Sequence, residues 1–108
     1  MTNGKLEQSV LDDIIRRVVE VVDPERIILF GVAWRGEMGP HSDVDLLIVK
    51  DGSDALNPTA QIHPKLRGVV VPVNAIVASR DDVERYKDSY GLIIRSAIRE
   101  GRVVYEAA

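Results

Sequence analysis

The chain has 108 residues, 45% of them hydrophobic and 29% charged, which is typical of one globular domain spanning residues 1–108. It contains no cysteine, which excludes disulfides, thiolate nucleophiles and cysteine-ligated metals. No apolar run approaches the roughly 20 residues of a membrane span, and the opening MTNGKLEQ is too polar for a signal peptide. We therefore expect a cytoplasmic protein. The formal net charge of −3 argues against broad electrostatic binding to nucleic acid.

The first half of the chain predicts one helix, two strands and a loop. Apolar spacing indicates an amphipathic helix over residues 5–22, with Asn3 as a candidate N-cap and Pro24 marking its end. Two apolar segments predict buried strands, RIILF at 26–30 and DVDLLIV at 43–49. The segment between these strands contains three glycines and a proline and is predicted as a loop.

The second half predicts a weakly helical stretch (59–68), a third strand (69–78), two helices (79–89 and 90–101) and a final strand (102–106). Pro72 inside the third strand indicates a sheet edge or a bulge, and Asp81 and Glu84 have capping-box spacing. Together the elements predict an α+β, two-layer fold, in which helices pack on one face of a small mixed sheet. The last helix is apolar on more than one side, which fits burial in its own domain, a homo-oligomer or a partner surface equally well.

Two aspartates at the head of the second strand are unusual, because aspartate is depleted in strands and buried unpaired carboxylates are costly. Strand side chains alternate, so Asp43 and Asp45 are predicted on one face, roughly 7 Å apart. A divalent cation would relieve their repulsion, since Mg²⁺ is bound by one or two carboxylates plus substrate phosphates. The loop beginning at Gly31 would let backbone N–H groups approach those phosphates, and Arg35 would add a charged contact.

Simpler interpretations stay open for each feature alone. Asp43 after Ser42 fits a turn, Asp45 fits a half-exposed sheet face, and Arg35 fits a solvated arginine. The single tryptophan, Trp34, either stacks on a base or packs against its own domain or a partner. The acidic pair and the glycine loop on consecutive strands together favour a nucleotide site.

Residues 31–45, G-V-A-W-R-G-(x6)-D-V-D, resemble the G-S-x10-D-x-D signature of the minimal nucleotidyltransferases, which belong to the DNA polymerase β superfamily. Similarity extends to VPVNAIV and to REGRVVYE, so that it covers nearly the whole chain. Seven positions align with the signature or with the residues that usually accompany it: Gly31, Val32, Arg35, Gly36, Ser42, Asp43 and Asp45.

The resemblance implies a polymerase β palm-like nucleotidyltransferase fold that binds a nucleoside triphosphate, with ATP favoured, at these positions. Mg²⁺ or Mn²⁺ would be held by Asp43 and Asp45. The implied reaction transfers a nucleoside monophosphate to a hydroxyl and releases pyrophosphate. Stand-alone members of this size are often the antitoxin of a toxin–antitoxin pair, whose partner is a small helical protein of the HEPN type. Some members adenylylate that partner.

Two residues depart from the family pattern. Val32 stands where the signature has a serine whose hydroxyl contacts the nucleotide phosphates. Asn74 stands where we place the family's third catalytic carboxylate, and a neutral amide is a poorer ligand for a hard cation. No Asp or Glu lies between Lys65 and Arg80 to replace it. Besides a slow enzyme, the sequence therefore predicts as alternatives a catalytically impaired binding antitoxin, or a small domain with surface aspartates only.

Overall fold

A computed structural model describes residues 6–31, 34, 36–37, 42–50, 62, 64–86 and 93–107. Among these residues, three helices and four strands have both ends described: α1 (Gln8–Val22), β1 (Arg26–Phe30), β2 (Val44–Val49), β3 (Val73–Ala78), α2 (Arg80–Tyr86), α3 (Ile93–Glu100) and β4 (Arg102–Glu106). None of the three helices combines the length and the apolar character that crossing a membrane requires.

Helix α1 is amphipathic, as predicted. Its buried side chains recur every three or four residues, at Leu11, Ile14, Val18 and Val22. The helix ends at Asp23, which has a left-handed backbone (φ 51°) and donates its N–H to the carbonyl of Val19. It begins at Gln8 rather than residue 5, without a side-chain cap; Asn3 lies outside the described residues.

The polar face of α1 holds the turn that precedes β3. One terminal nitrogen of Arg17 donates to the carbonyl oxygens of Lys65 and Arg67, at 2.9 Å each. The Nε of Arg17 donates to Asp13, which also receives a hydrogen bond from Arg16. These hydrogen bonds hold the pKa of the Asp13 carboxyl below its ordinary value, and the one from Arg17 has the largest effect.

The four strands form one mixed sheet in the order β3–β2–β1–β4. Strand β1 is antiparallel to β2 and to β4, whereas β2 and β3 are parallel. Strands β1 and β4 have the predicted bounds, and β3 lies at the edge, as Pro72 indicated. Strand β3 nevertheless begins at Val73 rather than residue 69, because proline has no N–H to donate. The carbonyl of Pro72 accepts a hydrogen bond from Val44 (2.9 Å).

The α+β class with a mixed sheet is confirmed, but the prediction that the helices occupy one face is wrong. Helix α1 packs on the face formed by Ile27, Leu29, Val44, Leu46 and Ile48. Residues of α2 and α3 pack on the opposite face, against Ile28, Phe30, Leu47 and Ala78. Strands β1 and β2 are apolar on both sides (burial of four consecutive residues or more in each), so each face needs a helical cover.

The second helical pair differs from prediction in its boundaries. Helix α2 begins with a reciprocal cap: the Ser79 hydroxyl accepts from the Asp82 N–H (3.1 Å), and the Asp82 carboxylate accepts from the Ser79 N–H (3.2 Å). The capping pair is thus not Asp81 and Glu84. Helix α3 begins at Ile93, and residues 87–92 lie outside the described part. Within the predicted helical stretch 59–68, residues 62, 64 and 65 are helical and a turn follows.

Candidate functional site

One end of the sheet brings together residues from three strands. Because β1 and β2 are antiparallel, the end of β1 meets the start of β2, and Phe30 pairs with Asp45. Because β2 and β3 are parallel, the start of β3 lies at this same end, and Asp45 pairs on its other side with Asn74. The register therefore places Asp45 in the middle of the site, between Gly31 at the end of β1 and Asn74 on β3.

The two aspartates differ in their surroundings. Asp45 lies inside β2 and is half-buried, on the same face as Leu47. Asp43 precedes the strand and is exposed, and it makes no hydrogen bond or ion pair with the other described residues. One acidic group is thus fixed by the sheet and the other stands in solvent beside it.

Gly31 makes room for the central carboxylate. Its φ is +75°, a left-handed conformation that residues with a Cβ rarely adopt. A Cβ built at this position would overlap Oδ2 of Asp45. From the sequence, Gly31 is expected to let backbone N–H groups approach the phosphates of a nucleotide. The structure adds a second reason: the Asp45 carboxylate occupies the space that any other residue's side chain would fill.

Asn74 contacts Asp45 directly. Its Nδ2 donates to Oδ1 of Asp45 at 3.4 Å, near the long limit for a hydrogen bond. The amide group therefore lies where a third carboxylate on β3 would stand beside Asp45. Within the described residues, no three His, Asp or Glu side chains lie close enough together to hold a metal ion.

The chemistry of these donors fits a magnesium–triphosphate better than a metal held by protein alone. Mg²⁺ typically keeps waters and takes one or two carboxylates together with substrate phosphates. Asp43 and Asp45 would supply the carboxylates. The Asn74 amide has a neutral oxygen that could face a metal ion and an NH₂ group that donates. In the structure the NH₂ group donates to Asp45. Because Gly31 has no side chain, the Asp45 carboxylate lies against the backbone of residue 31, at the start of the loop toward β2.

The remaining predicted site residues lie on the loop between β1 and β2. Gly36 also has a left-handed backbone (φ +73°), and Ser42 is half-buried ahead of Asp43. Val32 and Arg35 lie outside the described residues, so that their predicted contacts with the nucleotide stay predictions.

Sequence reasoning missed one contact near the site. The Arg102 guanidinium lies over the Trp34 ring, 5.7 Å from its centroid. Trp34 and Arg102 are far apart in the chain. Arg102 pairs with Leu29 near the end of β1, and Trp34 lies on the loop that follows β1, so the pairing of β4 with β1 brings the two residues together. No local pattern in the sequence would have identified this pair.

A groove of about 470 Å³ lies at the opposite end of the sheet, and its lining includes Arg26, Val49 and Glu106. Its lining contains two ion pairs, Arg26 with Glu106 (2.7 Å) and Arg80 with Glu25. The groove is thus separate from the acidic pair, which stands at the other end of β2.

Comparison with known proteins agrees with this geometry. The family model described as polymerase beta, nucleotidyltransferase, matches residues 12–108. No curated protein gives a significant match. The matched region contains all four strands and both aspartates, together with Gly31 and Asn74. The chain therefore belongs to the polymerase beta nucleotidyltransferase family.

Proposed function

We propose that this nucleotidyltransferase-like protein transfers a nucleoside monophosphate, AMP from ATP, to a hydroxyl group with Mg²⁺ as the cofactor. The observation that carries the proposal is the Asp45 carboxylate, which the sheet holds against the Cα of Gly31 with Asp43 beside it in solvent. This arrangement offers two carboxylates to a magnesium ion at the start of a glycine-containing loop suited to phosphates.

In the proposed reaction the acceptor oxygen attacks the α-phosphorus of the triphosphate. A new P–O bond forms, the bond from that phosphorus to the bridging oxygen breaks, and pyrophosphate leaves. Magnesium, when bound, would neutralise charge on the phosphates. Asp43 and Asp45 would hold it, and the loop after Gly31 would orient the triphosphate. Because position 74 carries an amide rather than a base, the acceptor proton would pass to water, which predicts a slow reaction.

The proposed acceptor is a protein hydroxyl on a small helical partner of the HEPN type, with this chain as the antitoxin. The resemblance of the G-V-A-W-R-G-(x6)-D-V-D segment to the minimal nucleotidyltransferases, among which such antitoxins are found, supports this proposal. An adjacent gene that encodes a HEPN-type protein would supply the partner for the test.

Transfer is tested by incubating the chain and the partner with Mg²⁺ and ATP labelled on either the α- or the γ-phosphorus. Nucleotidyl transfer labels the partner from α-labelled ATP only. The label should disappear in Asp43→Asn and in Asp45→Asn. Asp81→Asn is the matched control, because it neutralises an exposed acid on α2, away from the site. Label from γ-labelled ATP, or equal labelling by all variants, would contradict the proposal.

A second candidate function is a binding antitoxin that neutralises its partner by contact. The observation that favours it is the amide of Asn74 beside Asp45, where catalysis would be served by a third carboxylate. In this case Asp43→Asn and Asp45→Asn would still neutralise the partner fully, and no label would be transferred by any variant. Loss of neutralisation together with loss of label in these variants would support the enzyme instead.

A further inference from the structure

An exposed apolar surface lies beside the candidate site, on the segment of residues 65–72 that leads into β3. Val70 is 79% exposed, whereas Val103 and Trp34, the other exposed large apolar side chains in the described part of the chain, reach 45% and 39%. Val70 is not isolated, because residues 66–73 line an open depression of about 490 Å³, and six of these eight residues are leucine, valine or proline. A contiguous exposed apolar surface commonly marks an interaction site.

This surface leads directly to the acidic pair. Burial alternates along residues 69–74: every second residue packs against the core beneath α1, and Val70, Pro72 and Asn74 are exposed. The carbonyl oxygen of Pro72 accepts a hydrogen bond from the N–H of Val44 (2.9 Å), the residue between the two aspartates. Asn74 contacts the second of them. At roughly 3.3 Å per residue, Val70 lies within about 13 Å of Asn74, so a protein bound over Val70 would reach the site.

Hydrogen bonds hold the segment in place although it is exposed. One terminal nitrogen of Arg17 donates to the carbonyl oxygens of Lys65 and Arg67 at 2.9 Å each. The N–H of Val69 donates to the carbonyl oxygen of Leu66 (3.2 Å). A surface that is already ordered loses less conformational freedom when a partner binds, and this favours affinity.

Two basic side chains accompany the apolar surface. Lys65 and Arg67 are exposed, and their side chains make no hydrogen bond or ion pair with other residues in the described ranges. No acidic residue lies between positions 65 and 80, although the chain as a whole has a net charge of −3. The surface therefore fits a partner that presents an apolar side chain beside acidic groups.

We propose that the segment of residues 65–72 docks the protein that carries the acceptor hydroxyl, with an apolar side chain of that protein on Val70 and its acidic groups facing Lys65 and Arg67. The proposal rests on the proposed function, because it names how the acceptor of that same site is recognised. The segment sets the affinity for the acceptor protein and has no part in binding the nucleotide.

The expected effects fall on acceptor affinity alone. Val70→Ser removes the apolar contact and should weaken binding of the acceptor protein about tenfold. Arg67→Glu should weaken it by about the same factor and remove most of its salt dependence, whereas binding to the wild type weakens as salt screens the opposite charges. Val103→Ser is the matched control, because it changes an exposed valine on β4, at the opposite edge of the sheet.

The experiment uses the partner of the transfer assay, the HEPN-type product of an adjacent gene, as the acceptor protein. Calorimetry at low and high salt gives its affinity for the wild type and the three variants, and α-labelled ATP gives KM and kcat for its labelling. In Val70→Ser the KM for the acceptor protein should rise about tenfold. The kcat, the affinity for Mg²⁺–ATP and the melting temperature should match those of the wild type, because Val70 is exposed and away from the carboxylates.

The outcomes separate this inference from the proposed function. Wild-type affinity for the acceptor protein in both Val70→Ser and Arg67→Glu, or an equal loss in Val103→Ser, overturns the docking surface alone. A wild-type protein that binds the partner without labelling it overturns the transfer reaction, and the same variants still decide the docking surface by calorimetry. A wild-type protein that does not bind the partner overturns both proposals.

Discussion

Replacing Gly31 by alanine tests the geometry of the site directly, because a matched control exists in the same chain. Gly31 and Gly68 both have left-handed backbones, with φ of +75° and +90°. A Cβ at position 31 would overlap the Asp45 carboxylate, whereas a Cβ at position 68 would meet nothing within 4 Å. The two alanine variants therefore share the backbone strain and differ in the displaced carboxylate.

The magnitudes follow from these contacts. A left-handed alanine costs about 1–2 kcal/mol relative to glycine, so that Gly68→Ala should lower the free energy of unfolding by that amount. Gly31→Ala adds the displacement of Asp45 and the loss of its hydrogen bond from Asn74, about 1 kcal/mol more. We expect a loss of about 2–3 kcal/mol for Gly31→Ala.

Urea denaturation measures the stabilities, and calorimetry with Mg²⁺ and ATP measures binding to the folded variants. Gly68→Ala should bind as the wild type does. Gly31→Ala should bind at least tenfold more weakly, since about 1.4 kcal/mol of lost contact with the metal–nucleotide corresponds to that factor. Adding Asp45→Ala to Gly31→Ala should recover part of the stability, because it removes the overlapping carboxylate.

The reasoning would be refuted by two results. One is an equal loss of stability in Gly31→Ala and Gly68→Ala, which would mean that Asp45 does not occupy the space beside Gly31. The other is undiminished binding of Mg²⁺–ATP to folded Gly31→Ala, which would mean that the position of this carboxylate has no part in binding.

Three further predictions concern Asn74 and the polar face of α1. Asn74→Asp should destabilise the metal-free protein, because a like charge then faces Asp45. The same variant should show a larger rise in melting temperature on addition of Mn²⁺ or Mg²⁺, and a transfer rate higher by about 10²–10⁴-fold. An unchanged response of the melting temperature to metal would contradict this prediction. Arg17→Ala should lower the free energy of unfolding by about 1–3 kcal/mol in urea denaturation, because two carbonyl oxygens lose their donor. Arg16→Ala removes only exposed ion pairs and should cost clearly less. Equal losses would exclude a special role for Arg17. Asp13→Asn should be less stable than the wild type at neutral pH: the folded pKa of Asp13 lies below its ordinary 3.8, so its stabilisation is complete above that value and disappears as the pH falls through the folded pKa. Urea midpoints of the two proteins should therefore converge as the pH falls through the folded pKa, and a difference that persists in strong acid would exclude this cause.

Local patterns in the chain predicted most elements. Strand β1 and the final strand have the predicted bounds, because continuous apolar segments between helix ends and glycines leave few alternatives. Errors occurred at boundaries that depend on long-range hydrogen bonds. Strand β3 starts only where residue 73 pairs with Val44 of β2. Pro72 indicated an edge or a bulge, but not that the strand begins after the proline.

The spacing of glycine and aspartates also resembled the signature of one superfamily, and the family comparison confirms that superfamily. The roles of the site residues stay predictions. Asp45 was expected near the glycine loop, and the antiparallel pairing of β1 with β2 brings it against Gly31. The nucleotide, the metal ion and the HEPN-type partner stay predictions, each with the experiment given above.

Residues close together in the chain were enough to predict the apolar strands, the amphipathic first helix and the association of a glycine loop with two carboxylates. The positions of helices on both faces of the sheet, of Asn74 beside Asp45 and of Arg102 over Trp34 could be seen only in the folded chain. These three depend on strand order and register, which arise when distant segments bury their apolar faces together.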